Sequence, residues 1–288
     1  MKLGFIGTGV MGGAIAGHLL DAGHELVVYN RTKSKTDALV AKGATWADAP
    51  AKVAQQADVI FSMVGYPTDV ESIYFGNQGI FSTLTAGKTV VDMTTSTPTL
   101  AEKIAAKAEE LHAHALDAPV SGGDVGAKNA TLTVMVGGEQ ATYDAMKPLF
   151  ELVGQKVHLF GPAGKGQHTK MANQIMIAGT MTGTVEMMVY AQHAGLKMTD
   201  VLDTLSSGGA DNWSMDNYAP RILKGDYTPG FFAKHFLKDL RIALDEADKM
   251  KLDLPATKLA KQLYETMVDE KGLGDDGTQG LIKLYENL

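Results

Sequence analysis

Residues 2–13 read KLGFIGTGVMGG, and this stretch decides the fold class. A buried-strand pattern, KLGFI at 2–6, runs straight into GTGVMGG, where Gly7, Gly9 and Gly12 hold the spacing GxGxxG. A dinucleotide site needs a tight turn (Gly7), a position without a side chain where the backbone meets a pyrophosphate (Gly9), and close helix–strand packing (Gly12). The helix N-terminus that follows carries partial positive charge toward the anion. Alone, the triplet could be a simple tight turn; at the head of a strand–turn–helix unit it predicts a dinucleotide site, with Thr8, Val10 and Met11 completing the loop.

Outward from this loop the pattern repeats. Apolar runs ELVVY (25–29), DVIFSMV (58–64), KTVVDM (88–93), AHALDAPV (113–120), TLTVMVGG (131–138) and KVHLF (156–160) alternate with helix-compatible stretches such as PTLAEKIAAKAEELHA and EQATYDAMKPLFELVG. Strand and helix in alternation, with near-continuous Val/Ile content, is the mark of a parallel sheet covered on both faces. After Gly161 no comparable strand run follows. The segment 164–194 has no proline and fits one helix of roughly 45 Å, expected to link the domains and form the spine of a homodimer or homotetramer. Further helices are expected over 199–206, 235–251, 255–270 and 276–287, with turn-rich breaks at SSGGADN and GDYTPG. The fold class is therefore α/β: a Rossmann-type doubly wound parallel sheet over 1–162, then an all-α domain over 163–288 joined by a long interdomain helix.

Composition narrows the function. With 288 residues, 45% apolar and 20% charged, the chain can bury one large or two moderate cores. A net charge of −7 argues against nucleic-acid and membrane-surface partners, which select basic proteins. Absence of cysteine removes disulfides, thiolate metal sites and cysteine nucleophiles. The first residues form a strand pattern rather than a signal or anchor, so a soluble, cytoplasmic protein is expected. No metal site is expected: His112 and His114 are two residues apart with no nearby carboxylate partner.

About twenty residues beyond the glycine loop an NAD-selective site carries an acidic residue for the ribose hydroxyl. Here stand Asn30, Arg31 and Thr32, with Lys33 and Lys35 close behind. The guanidinium of Arg31 offers a fork of donors for a 2′-phosphate, which favours NADP while leaving NAD possible; a solvated basic turn is the alternative. Ser121, Gly122 and Gly123, in DAPVSGGDVGA, follow a strand end and form either an anion-binding nest or a plain loop. In GPAGKGQHTKMANQ (161–174), Gly161 and Gly166 have phosphate-loop spacing, but Gln167 and His168 stand where a lysine and a hydroxyl are required. That leaves Lys170 as either a surface lysine or a member of a polar cluster with Asn173 and Gln174 on one helix face. Tyr143 and Lys147 match a YxxxK pair, but lie in an ordinary amphipathic helix.

Taken together, GFIGTGVMG, DAPVSGG followed by TLTVMVGG, GKGQHTKMANQ and FLKDLRIALDEA (236–247) resemble the β-hydroxyacid dehydrogenase family, in the family's order and over nearly the whole chain. The resemblance implies hydride transfer between NADP(H) and a small carboxylate-bearing β-hydroxyacid or its semialdehyde, with Lys170 as general acid/base and Asn173 and Gln174 orienting substrate. It also implies that Ser121, Gly122 and Gly123 hold the substrate carboxylate, that Lys238 and Asp239 reach the nicotinamide and active site, and that Thr95 contacts the cofactor. Met63 and Val64 fall where the backbone meets the cofactor, although Val64-Gly65 replaces the family's frequent Leu-Pro. Trp213, in SSGGADNWSMDNY (206–218), is a specificity candidate or a packing residue. Two other readings remain: an NADP-binding sensor or structural protein without turnover, and an imine reductase-like enzyme, both disfavoured by Lys170.

Overall fold

The computed structural model describes residues 1–285 and divides into two compact units, Met1–Lys170 and Met171–Leu288. The first unit is an alternating α/β domain. In chain order it contains β1 (Lys2–Ile6), α1 (Val10–Asp21), β2 (Glu25–Tyr29), α2 (Asp37–Ala41), β3 (Thr45–Trp46), α3 (Pro50–Gln56), β4 (Val59–Ser62), α4 (Pro67–Phe75), β5 (Thr89–Asp92), α5 (Pro98–Glu110), β6 (His114–Asp117), β7 (Val120–Ser121), α6 (Gly123–Lys128), β8 (Leu132–Gly138), α7 (Gln140–Phe150) and β9 (Gly154–Leu159).

The sheet order is β3-β2-β1-β4-β5-β6-β8-β7, with β9 paired to β8, and β1 to β6 pair in parallel. Residues alternate between two buried clusters: Leu3, Phe5, Val28, Phe61 and Val91 on one face, and Ile6, Val27, Ile60 and Val90 on the other. Both faces are covered, which is why the strands read as continuous apolar runs rather than alternating ones.

The one departure from parallel order is β8, which runs antiparallel to both β6 and β7. Ala118-Pro119 separates those two segments, and Pro119 has no N–H for the ladder, although its carbonyl accepts the Met135 N–H at 2.9 Å. A parallel return needs a crossover of roughly a dozen residues or more. The β7–β8 link is shorter, so the chain reverses; α7 then gives β9 the longer crossover that restores parallel pairing with β8.

A single helix, α8 (Lys165–His193), begins in the first unit and runs into the second. The second unit adds α9 (Met198–Leu205), α10 (Trp213–Ile222), α11 (Ala233–Lys249) and α12 (Pro255–Glu265). Its core joins Met181, Val185 and Met188 of α8 to Met215 and Tyr218 of α10, Phe236 and Leu240 of α11 and Tyr264 of α12. The many methionines thus fill irregular gaps between helices. Past the turn-rich SSGGADN, the chain is helical from Trp213 onward because Asn212 caps it, its side-chain oxygen accepting the Met215 N–H at 3.0 Å. Of the helix expected over 276–287, Thr278–Leu284 form tighter 3-10 turns, and 286–287 lie outside the described residues.

Candidate active site

The glycine loop passes over the C-terminal end of β4. Gly7 has φ of 95°, and a Cβ there would stand 2.1 Å from the Met63 carbonyl oxygen. Only glycine allows that turn. Around Gly9 nothing lies within 4 Å of where a Cβ would be, and Gly9 caps α1 with no side-chain hydrogen bond and no acidic residue in the first turn. The orphan amides of α1 therefore open onto clear space with a favourable dipole. This arrangement fits a pyrophosphate.

The turn after β2 is built on Asn30. Its Oδ1 accepts the Thr8 N–H at 3.0 Å, and its Nδ2 donates to the Thr32 carbonyl at 2.9 Å. The Thr8 hydroxyl donates to the Lys35 carbonyl at 3.0 Å. Asn30 thus shapes the loop through both ends of its amide. Arg31, 85% exposed at the side chain, lies 3.1 Å from Asp69. Such a solvated pair contributes about 0–1 kcal/mol, so the guanidinium can be redirected at small cost.

Further along the same sheet edge, the Val64 N–H donates to Thr94 Oγ1 at 3.0 Å, joining the ends of β4 and β5, and Thr95 is half-buried. Ser121 ends β7, and Gly122 and Gly123 follow with φ of 129° and 64°. These two positive values in succession sharply turn the chain, at the cost glycine alone avoids.

The start of α8 is seated by Asp117 at the end of β6. Its carboxylate accepts the Gly164 and Gln167 N–H groups, each at 2.8 Å, satisfying orphan amides of the helix. Burial pushes the Asp117 carboxyl above its ordinary range, against the pull of those backbone donors. A Cβ on Gly166 would lie 2.5 Å from the Met135 carbonyl oxygen and 2.7 Å from that of Asp117. The GKG glycine is therefore a close-approach residue, not part of a phosphate cradle. Gln167, fully buried, donates through Nε2 to the Thr94 carbonyl at 2.7 Å and accepts the Ser96 N–H at 3.0 Å. One turn later stands Lys170, only 6% exposed.

In the helical unit a second polar group forms. Asn173 Nδ2 donates to Gln174 Oε1 at 2.7 Å, and Gln174 Nε2 donates to Asp239 Oδ2 at 2.6 Å. Lys238 Nζ lies 3.0 Å from Asp239 Oδ1, with side chains 12% and 1% exposed. Burying Asp239 is tolerable because it meets a cation and an amide. Trp213 does not join this group: it is 61% exposed, its ring edge-on to Tyr218 at 5.4 Å. The Tyr143 hydroxyl donates to the Val157 carbonyl at 3.3 Å, a packing role.

Sequence reasoning passed over Asp117 and Thr94, and read Gln167 only as a break in a phosphate-loop pattern. The one visible signal was an acidic residue closing an apolar strand, as Asp92 and Asp117 both do.

Comparison with known proteins accords with this geometry. Residues 2–161 match the NAD binding domain of 6-phosphogluconate dehydrogenase, and residues 164–285 match the NAD-binding family of NADP-dependent 3-hydroxyisobutyrate dehydrogenase. A probable mitochondrial 3-hydroxyisobutyrate dehydrogenase-like protein of Arabidopsis thaliana is 49% identical, covering 100% of this chain and 86% of its own. The 2-hydroxy-3-oxopropionate reductase of Escherichia coli is 38% identical, over 94% of this chain and 93% of its own. The solved Mycobacterium tuberculosis 3-hydroxyisobutyrate dehydrogenase with L-serine superposes with a TM-score of 0.91, at 26% identity and 99% of each chain. With both halves matched and relatives of this identity spanning nearly its full length, the chain belongs to the β-hydroxyacid dehydrogenase family, oxidoreductases that use a nicotinamide cofactor on the CH–OH group of hydroxyacids.

Proposed function

We propose that the protein transfers hydride between NADP(H) and a small β-hydroxyacid or its semialdehyde, with Lys170 as general acid/base. The observation that carries the reading is a lysine only 6% exposed on the second turn of α8, whose first turn is tied to the β5 loop.

The loop Gly7–Gly12 would hold the pyrophosphate, Arg31, Thr32 and Lys35 the 2′-phosphate, and Val64 and Thr95 the nicotinamide end. When bound, the nicotinamide gives or takes the hydride. In reduction Lys170, as ammonium, donates a hydrogen bond to the carbonyl oxygen and then the proton that the developing alkoxide needs. In oxidation its neutral amine accepts the hydroxyl proton. Ser121 and the amides of Gly122 and Gly123 would take the substrate carboxylate, while Asn173, Gln174, Lys238 and Asp239 supply the helical unit's polar contribution. Trp213 is a candidate contact for larger acids.

The test is a panel of glyoxylate, succinic, tartronate and methylmalonate semialdehydes, 3-hydroxyisobutyrate and D- and L-serine, each with both cofactors. NADPH-dependent reduction of a semialdehyde acid is expected; silence across the panel would favour a non-catalytic binding protein. Two variants refine the assignment. Arg31→Ala should raise the KM for NADPH about tenfold, worth about 1.4 kcal/mol, and leave that for NADH within a factor of about two; equal changes for both would remove the phosphate role. Ser121→Ala should raise substrate KM about ten- to hundredfold, the loss of roughly one hydrogen bond to a charged group, with cofactor KM unchanged.

A further inference from the structure

Gln167 does more than break a phosphate-loop pattern. Its amide grips the backbone on both sides of one residue: Nε2 donates to the Thr94 carbonyl at 2.7 Å, and Oε1 accepts the Ser96 N–H at 3.0 Å. Between them stands Thr95, the residue assigned above to the cofactor. Thr94 is held a second time, its hydroxyl accepting the Val64 N–H at 3.0 Å, so the ends of β4 and β5 and the first turn of α8 form one hydrogen-bonded frame. The frame is closed from below by Asp117, which accepts the Gln167 N–H itself. Gln167 is 0% exposed, so each of these bonds is made where an unpaired amide would be costly. Lys170 lies three residues further, about 4.5 Å along the axis and on the same helical face.

We propose that Gln167, seated by Asp117, is a positioning residue: it fixes Lys170 and the Thr94–Ser96 loop relative to each other, and so sets the distance between the proton donor and the cofactor's reactive end. The inference rests on the catalytic reading of Lys170. An amide suits the task because it presents a donor and an acceptor side by side, matching a carbonyl and an N–H two residues apart. A carboxylate in the same place could accept from Ser96 but would face the Thr94 carbonyl with no proton to give. Once protonated, it would reproduce the amide pattern. An apolar side chain of the same length would fill the volume and make neither bond.

The experiment compares Gln167→Met and Gln167→Glu with Lys170→Ala. NADPH affinity is measured by fluorescence titration, and turnover across pH is measured on the panel substrate with the highest kcat/KM. For Gln167→Met, kcat should fall about ten- to hundredfold, the cost of misplacing a catalytic group, while NADPH affinity stays within about threefold. For Gln167→Glu, the activity relative to wild type should rise as the pH is lowered, as the carboxyl regains the donor. A Gln167→Met enzyme within about twofold of wild-type kcat, with Lys170→Ala inactive, would overturn the positioning role and leave the catalytic reading standing. A Lys170→Ala enzyme with normal turnover would instead remove the reading beneath it. Loss of cofactor binding or of the folded state in both Gln167 variants would also overturn the proposal, since the tie would then serve the fold and not Lys170.

Discussion

Lys170→Ala is expected to lower kcat by about 10²- to 10⁴-fold, the range for removing a positioned general acid/base, while NADPH affinity stays within about threefold. The split follows from where the groups sit in the chain. The features proposed to bind the cofactor lie on the glycine loop, the β2 turn, the ends of β4 and β5 and, at Lys238 and Asp239, on α11, and none is a side chain of α8. If Lys170 holds a proton rather than the cofactor, as proposed, its loss should appear in turnover and not in binding. Removing the side chain also leaves a buried space where the stem had been packed. Lys170→Met fills that space without the amine and separates the two effects: kcat should stay low while thermal stability returns toward wild type. Lys170→Arg keeps the charge but cannot surrender a proton near neutral pH, and should be nearly as slow as alanine. Near-normal turnover in any of these variants would remove the acid/base assignment.

Much of this architecture was legible in the sequence because its signals are local. The apolar runs are short and unbroken since both faces of each strand are buried, and a Cβ at Gly7 or Gly12 would clash with backbone nearby in the fold, while Gly9 faces open space. The segment 164–194, free of proline, reads as one helix and is one, Lys165–His193. What was not legible depends on partners far away in sequence. The reversal at β8 follows from a link too short for a crossover together with a proline at 119, a combination no period reveals. Asp117, which seats α8, lies 47 and 50 positions from its two donors, and Gln167 grips atoms 71 and 73 positions away. Such contacts leave no pattern, which is why Gln167 read only as an obstacle to a phosphate loop. The helix from Trp213 was hidden in another way: Pro220 and a run of polar residues blur its period, and only the Asn212 cap marks its start.

Replacing Asp92 should change how stability depends on pH. Asp92 ends β5 at 4% exposure. Its Oδ1 accepts the Ser62 hydroxyl at 2.8 Å and the Thr94 N–H at 3.2 Å, and Ser62 is in turn 3.1 Å from the Tyr74 hydroxyl. Burial pushes its carboxyl up to about 6 from 3.8; those donors oppose the shift, and nearby Asp117 adds to it. Desolvation wins because the donors are neutral and bring no positive charge, and the cavity beside the two carboxylates is about 10 Å³, room for one water at most. Since the folded state holds this proton more tightly than the unfolded chain, stability from this group is fully present below about pH 4 and declines as the pH rises to about 6, flattening beyond. The shift corresponds to about 3 kcal/mol. An asparagine side chain cannot ionise, so in urea titrations the stability of Asp92→Asn relative to wild type should move in the variant's favour by up to about 3 kcal/mol between about pH 4 and about pH 7.5. Taking the difference of differences cancels any imperfect fit of the new amide, and any slope left in the variant would belong to the other shifted groups, Asp117 with its raised carboxyl and His235 with its lowered imidazole among them. Parallel pH profiles for the two proteins would show instead that Asp92 is ionised at no cost, held by Ser62 and Thr94 alone.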